Sequence, residues 1–422
     1  MFAGVKRISY ILLVTGTLLS LSSNAQWSDA MTQVASQKDF TAGIYGGIDA
    51  SSNCITTSFA TNFFSGNYIS DALKHQVVEN LEKFNRLGYN LNYGIYGVWR
   101  TDTINHRTFN FFFAMRHKAT INAVFSPDAF NLAFFGNAMY AGRTANLAPF
   151  NFMSMSYNQA EIGLVSTDFG GKAQLGMGLS FLAGQKLLAV GARNATLYTD
   201  PTGQNLQFNS NAEMYQSDTA GNSKFINGYG ASLDLYFKAP YKIGKRSGVI
   251  SVSATDMGFM YWNKNSLYYH KDTSYFYDGV TINNITDLQN VGFGGVSKDS
   301  LQNKYIPFAK KALFYTIPST LSVNTNTDFG KYHLEVGYWY VFNSNDVGYY
   351  YVQGDKYLNS GWMTALQLGY GGYETFNLEF LFSKQTKNST FKLALDHLQG
   401  LLLPNKFGGA GAYVEYSHSF GK

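Results

Sequence analysis

Cysteine is almost missing from this chain: Cys54 is the single thiol among 422 residues. An internal disulfide is therefore excluded, and so is a zinc site built on paired thiolates. Charge is scarce as well, with Asp, Glu, Lys and Arg together at 14%, against about 25% in soluble domains. Such a chain cannot present an ordinary hydrated surface, so something apolar must cover part of it. The formal charge of +5 is too slight to mark a nucleic-acid partner. Beyond the first residues there are no long apolar runs, whereas an inner-membrane protein needs several helices of about 20 apolar residues. The histidines at 75, 106, 117, 270, 333, 397 and 418 form no His-Glu-x-x-His or other paired ligand spacing, so no metal or cofactor is expected.

What the chain does have begins with an export signal. Lys6 and Arg7 precede an apolar stretch from Ile8 to Leu21, and Ser22-Ser23-Asn24-Ala25 places small residues before Gln26. That order is the order of a secretory signal peptide, with cleavage expected between Ala25 and Gln26. Residues 26–422 then form one domain. No cysteine stands directly after the apolar stretch, where a lipoprotein needs one to carry its lipid, so lipid anchoring is not expected.

Aromatics reach 17% and lie in short segments where apolar and polar residues alternate, the period of a strand. A strand crossing an outer membrane needs only about 9–11 residues, one face in lipid and the other in the lumen. Phe109, Phe111, Phe113 and Met115 share one face, against Asn110, Phe112, Ala114 and Arg116. From Lys331 to Phe342, Tyr332, Leu334, Val336, Tyr338, Tyr340 and Phe342 oppose Lys331, His333, Glu335, Gly337 and Trp339. The charged side must find water and should line the lumen.

Further segments of this kind cover Ile55–Asn62, Tyr89–Arg100, Glu161–Phe169, Gln174–Ala183, Phe225–Phe237, Val249–Phe259, Thr320–Asp328, Gly361–Gly369, Thr375–Lys384, Thr390–Asp396 and Ala412–Phe420. A barrel whose two ends face the periplasm needs an even number of strands, and the Tyr-rich stretch Asp346–Tyr357 completes the set. The expected fold is all-β: a closed transmembrane antiparallel β-barrel of about 14 strands (12–14) with one or two short loop helices. Short turns such as Asp328-Phe329-Gly330-Lys331 would face the periplasm. Cys54 reads as a small strand residue. Glycines inside strands, such as Gly94, Gly97, Gly176 and Gly178, suit a tightly curved wall.

Two segments break the alternation. Ile69, Leu73, Val77, Val78, Leu81 and Phe84 fall at helical spacing and predict an amphipathic helix over Ile69–Leu87 in the first long loop, capping the mouth, folding inward to narrow the lumen, or packed against its own loop. A shorter helix is predicted from Pro127 or Asp128 to Phe135. Asp200–Lys224 and Asn263–Lys311 read as long irregular loops. The second carries Tyr268, Tyr269, Tyr275, Phe276 and Tyr277, which can grip a partner or fold over one another.

The stretch Ser253-Ala254-Thr255-Asp256-Met257-Gly258-Phe259-Met260-Tyr261-Trp262 contains Asp-x-Gly-Phe-x-x-Trp. With Phe84-Asn85-Arg86, Gly136-Asn137, Glu161-Ile162-Gly163, Gly178 to Gly184, Gly228 to Asp234, Leu393 to Gly400 and Gly409 to Gly421, it resembles a family of Bacteroidota outer-membrane barrels of unknown function. That family is distantly similar to the long-chain fatty-acid transporter barrels. Where its members usually carry Asp-Asn, this chain has Asp396-His397. The resemblance implies a barrel and an outer membrane, with no activity to carry over. Asp256, Gly258, Phe259 and Trp262 are read as structural, with Asp256 turned inward and Trp262 where a strand leaves lipid. Asp396 and His397 could seed a hydrolase triad, but neighbours in a strand point to opposite faces, so no catalytic residue is assigned and no enzyme is expected.

In the last strand, Ala412, Val414, Tyr416, His418 and Phe420 share a face that should meet lipid, while Glu415 faces the lumen. This strand should close the barrel against Ile55–Asn62, and Phe420 resembles the terminal aromatic that barrel-assembly machinery recognises. The expected function is a channel or transporter for a small or hydrophobic molecule, or else a non-transporting accessory barrel of an envelope secretion or motility assembly with a protein partner.

Overall fold

The computed structural model describes residues 39–104, 107–169, 173–218, 226–277 and 308–421. The expected signal peptide, with Ala25 and Gln26, lies outside them, as do residues 278–307 of the expected second loop. Among the described residues, nineteen strands form one sheet. In chain order they are β1 (Phe40–Ser52), β2 (Asn85–Ile104), β3 (Arg107–Phe125), β4 (Arg143–Asn146), β5 (Phe150–Phe169), β6 (Ala173–Thr199) and β7 (Leu206–Gln216). They continue as β8 (Gly228–Ile243), β9 (Arg246–Trp262), β10 (Leu267–Tyr277), β11 (Ala309–Lys310), β12 (Leu313–Thr316) and β13 (Ser319–Asp328). The series ends with β14 (Tyr332–Phe342), β15 (Val347–Tyr357), β16 (Trp362–Gly372), β17 (Asn377–Gln385), β18 (Ser389–Asp396) and β19 (Ala410–Phe420).

Fourteen of these make the wall: β1, β2, β3, β5, β6, β8, β9 and β13 to β19. Every wall pairing is antiparallel, and β1 closes on β19 from Phe40↔Phe420 to Ala50↔Ala410. The protein is a closed antiparallel β-barrel. Phe40, Phe420 and the short turns lie at one end. There Gly330 (φ 90°) turns the chain between β13 and β14 while Asp328 accepts its N–H at 2.6 Å. Among the described residues, four α-helices lie at the other end: α1 (Thr57–Phe64), α2 (Asp71–Asn80), α3 (Pro127–Phe135) and α4 (Leu398–Leu402).

Alternation sorts the wall as the pleat requires. Ile44, Ile95 and Met115 are paired across β1, β2 and β3 and exposed outward, as are Ile162 and Leu179 on β5 and β6. Phe112, Arg116, Glu335 and Glu415 are buried inside. Aromatics ring both edges of this apolar belt. Phe40 packs on Trp99 (4.8 Å between centroids) and Phe420 (5.9 Å) at the short-turn end, and Tyr338 packs on Tyr350 (4.7 Å) towards the loop end.

Several expectations need correction. Ile55–Asn62 is no strand: Thr56 accepts from Phe59 N at 3.3 Å and caps α1, whose Phe59 packs on Phe130 and Phe134 of α3. The first strand is β1, whose alternation is diluted by Gly43, Gly46 and Gly47, and it is β1 that β19 closes against. Cys54 sits in the bend between β1 and α1 rather than in a strand. The helix expected over Ile69–Leu87 stops at Asn80, because Asn85 opens β2, accepting from Glu82 N at 2.9 Å and donating to Phe125 O at 3.2 Å. The helix expected from Pro127 to Phe135 is present over those residues, with Ser126 as its cap. Strands β5 and β6 run well past the expected Glu161–Phe169 and Gln174–Ala183, and β6 reaches 27 residues. The stretches expected to be irregular contain β7 and β10, which pair with each other along their whole lengths.

Candidate functional site

Halfway along the barrel the lumen is filled by the wall's own side chains. Arg116 on β3 forms an ion pair with Glu161 on β5. Glu415 on β19 accepts from Tyr96 Oη at 2.8 Å and Tyr413 Oη at 2.7 Å, and Lys392 lies 3.3 Å away. Glu335 accepts from Tyr351 Oη at 2.7 Å. These groups sit close because glycine faces them: the Tyr96 ring lies where a Cβ on Gly43 would stand, and Tyr351 does the same at Gly337. Buried carboxylates are tolerable only when paired and hydrogen-bonded, and here each has partners. Sequence alternation already points Arg116, Glu335 and Glu415 inward. It gives no sign of which residues pair, because the partners lie on other strands.

Above this girdle stands Asp256. Its φ of 57° is unusual for a residue with a side chain, and it lies at a β-bulge, where two residues of β9 oppose Asp234 alone on β8. Asp234 accepts from Asp256 N at 2.6 Å. The Asp256 carboxylate pairs with Lys118 and accepts from Gln159 at 3.1 Å. The bulge shifts the alternation by one residue. Before it Ser251 and Ser253 are buried inside; after it Met260 and Trp262 are, while Met257, Phe259 and Tyr261 are exposed. Trp262 therefore does not sit at the edge of the apolar belt as expected. It is fully buried in a luminal cluster with Met153, Leu182, Leu187, Met260 and Ile317. Its neighbour Tyr261 takes the outer face and packs on Tyr229 at 5.8 Å. The one-residue shift is invisible to a strict period of two.

At the loop end, His397 lies between two carboxylates, Asp49 on β1 and Glu374 in the β16–β17 connection, the latter at 2.6 Å. Asp396 and His397 were expected on opposite faces, yet both are buried, because His397 has left the extended conformation (φ 58°). Burial alone would lower the His397 pKa, but Glu374 and Asp49 outweigh it and hold it well above the usual histidine range. Burial raises Glu374. No serine among the described residues hydrogen-bonds to this histidine. The Cys54 thiol is also buried, which pushes its pKa up to about 12, the opposite of an activated nucleophile.

The hollow space lies above the girdle. A cavity of about 140 Å³ is bounded by Asp49, Lys118, Tyr157, Asp256, Glu374 and His397. Nearer the loop end is a polar one of about 420 Å³, with Asn122, Asn151, Glu213, Tyr215, Tyr315 and Asn343 in its wall. In the C-terminal strand, Val414, Tyr416 and Phe420 are exposed on the outer face and Glu415 is buried. Gly258 pairs across the wall with Ser232, and Phe259 stacks outside on Phe314 at 4.9 Å.

The architecture defines a closed fourteen-strand barrel with an apolar exterior, a filled middle and a hollow loop end. Over residues 34–396 the chain matches the family of unknown function DUF5723, and it belongs to that family. No curated protein matches it in sequence. Among solved structures it is similar to the toluene transporter TodX of Pseudomonas putida, with 10% identity over 95% of both chains and a TM-score of 0.45. It is also similar to a FadL homologue of Pseudomonas aeruginosa, with 10% identity over 92% of this chain and 91% of that one and a TM-score of 0.42. The translocator domain of the autotransporter NalP of Neisseria meningitidis gives 8% identity, 98% and 96% coverage and a TM-score of 0.30.

Proposed function

We propose that the protein is exported, is inserted in the outer membrane by the barrel-assembly machinery, and admits a small molecule from its loop end into the lumen. The observation that carries this reading is the uneven filling of the barrel. Beside the Trp262 cluster the upper lumen keeps cavities of about 140 and 420 Å³, the smaller reaching Lys118 and Asp256, while the Arg116–Glu161 and Tyr96–Glu415–Tyr413 groups close the barrel below. The apolar belt between two aromatic rings supports the membrane placement. Passage requires the girdle to part, which makes it the gate.

Liposome swelling with neutral solutes of graded size tests this. Tyr96→Ala should raise the swelling rate above that of the wild type, with the largest gain for the smallest solutes. No swelling with either protein in correctly inserted form would refute passage. A second reading, a non-transporting barrel of an envelope assembly, is favoured by the exposure of Phe63, Phe64 and Tyr68 (51%, 80% and 83%) around α1. Crosslinking from position 64 to one envelope protein in intact cells, with no swelling activity, would select it.

A further inference from the structure

A second, separate chamber of about 620 Å³ lies against the sheet that β6, β7 and β10 raise at the loop end. Its lining includes Ala129 and Leu132 of α3, Val190 and Ala192 of β6, and Phe208 and Met214 of β7. Alternation places it outside the lumen. Ala189 and Tyr215 face the luminal cluster, so Val190 and Met214, paired with each other one residue further along, face the other way. Phe150, paired with Ala192, continues the same outer surface from β5.

The space exists because the side chains there are small: Ala129, Ala133, Ala192, Ala195 and Ala212 all line it. Its size is that of a small-molecule site. Glu213 is the one ionisable acid in the lining, but its carboxylate accepts from Tyr215 Oη at 3.1 Å on the luminal side. The remaining polar groups are the Ser210 hydroxyl and the phenols of Tyr269 and Tyr275, which meet at 3.4 Å across six residues of β10.

The geometry points to a binding site for an uncharged, largely apolar small molecule that carries one hydroxyl or carbonyl group, its body among the alanines and its polar group on the Tyr269–Tyr275 phenols. An ionised head would be desolvated in this apolar lining, which contains no cation among the described residues; the nearby Lys271 ammonium already sits over the Tyr275 ring, 5.3 Å from its centroid. A phenol pair can donate to and accept from a neutral group.

Full-length protein in nanodiscs, titrated by fluorescence with 2-naphthylethanol, 2-naphthylacetate and 2-naphthylethylamine, tests the proposal. The alcohol should bind saturably and at least about tenfold more tightly than either charged probe. Ala192→Trp should abolish binding. Tyr275→Phe, which leaves the chamber's shape intact, should weaken the alcohol by about fivefold while unsubstituted naphthalene is unchanged. Equal affinity for a charged probe would overturn the assignment, as would binding that survives Ala192→Trp in a heat-modifiable, folded barrel. A phospholipid retained by the wild type and lost from Ala192→Trp would also overturn it, because the occupant would then be a membrane lipid.

Discussion

At the level of Glu415 the lumen is packed with ionised and phenolic side chains, whereas at the loop end Glu213, on β7 beyond the fourteen wall strands, borders a polar cavity of about 420 Å³. The two levels differ in how strictly the strands keep their register. Around Glu415, β1, β2 and β19 pair without interruption, so inward side chains from neighbouring strands meet and close on one another. Towards the loop end the register shifts at Leu233/Leu235, at Ser156/Tyr157 and at Ala192/Asn194. Each shift re-aims a row of side chains and leaves gaps where the rows diverge. Regular pairing closes the barrel, and broken pairing opens it.

The severest test of this contrast removes the regular seam. Deleting Tyr416–Lys422 takes away the β1–β19 pairs from Ile44 to Phe40. No heat-modifiable barrel should then reach the outer-membrane fraction, and a folded band at wild-type level would show that the seam is dispensable. Arg116→Met leaves Glu161 buried without its cation, which should cost about 3–5 kcal/mol in guanidinium unfolding. Removing one loop-end cation with Lys311→Ala, whose ammonium lies 3.4 Å from the Tyr268 ring centroid, should cost only about 0.5–2 kcal/mol. Similar losses would erase the distinction between the two levels.

On the outer face, Val414→Arg should lower barrel stability by about 2–4 kcal/mol, and more than Ser417→Arg does. Equal levels of the two assembled variants would show that the facing is wrong. At the loop end, the His397 pKa is held above its unfolded value, so its stabilising contribution is fully present below the ordinary histidine pKa. It is lost as pH rises through the raised folded value. Unfolding midpoints measured from neutral to alkaline pH should therefore fall for the wild type. In His397→Asn, which tolerates the same left-handed backbone, that component of the slope should vanish. The smallest effect concerns Cys54: a maleimide at pH 8 should leave it unlabelled in the folded barrel and label it fully after denaturation. Rapid labelling of the folded protein would place the thiol at the surface.

Most of the wall could be read from the sequence, because burial on one face and exposure on the other writes itself as alternation. The stretches Phe109–Lys118 and Lys331–Phe342 carry it cleanly. Strand β1 does not, since Gly43, Gly46 and Gly47 carry no polarity signal, Gly43 leaving room for the Tyr96 ring packed over it. The short alternating run Ile55–Asn62 misleads for the converse reason: Phe59 and Phe63 also lie one helical turn apart, and only the aromatic cluster with α3 decides between the two periods. The girdle's members could be read as inward residues but not as partners. Neither the Trp262 placement nor the His397 cluster could be read at all, because each depends on one left-handed residue, Asp256 or His397 itself, that resets the direction of everything around it.

Strand β6 has one more consequence. About 9–11 residues suffice to cross a membrane, yet its 27 residues form one continuous strand from Ser180, which accepts from Gln159 beside the Asp256 bulge, up to Ala192 in the outer chamber, bulged once at Gln185 where its register with β5 shifts. A flexible loop would let the mouth move without the wall. A hydrogen-bonded beam couples them, so a tilt imposed at the chamber is delivered as a displacement at mid-barrel. Amide exchange along β6 should therefore be as slow beyond the rim as within it.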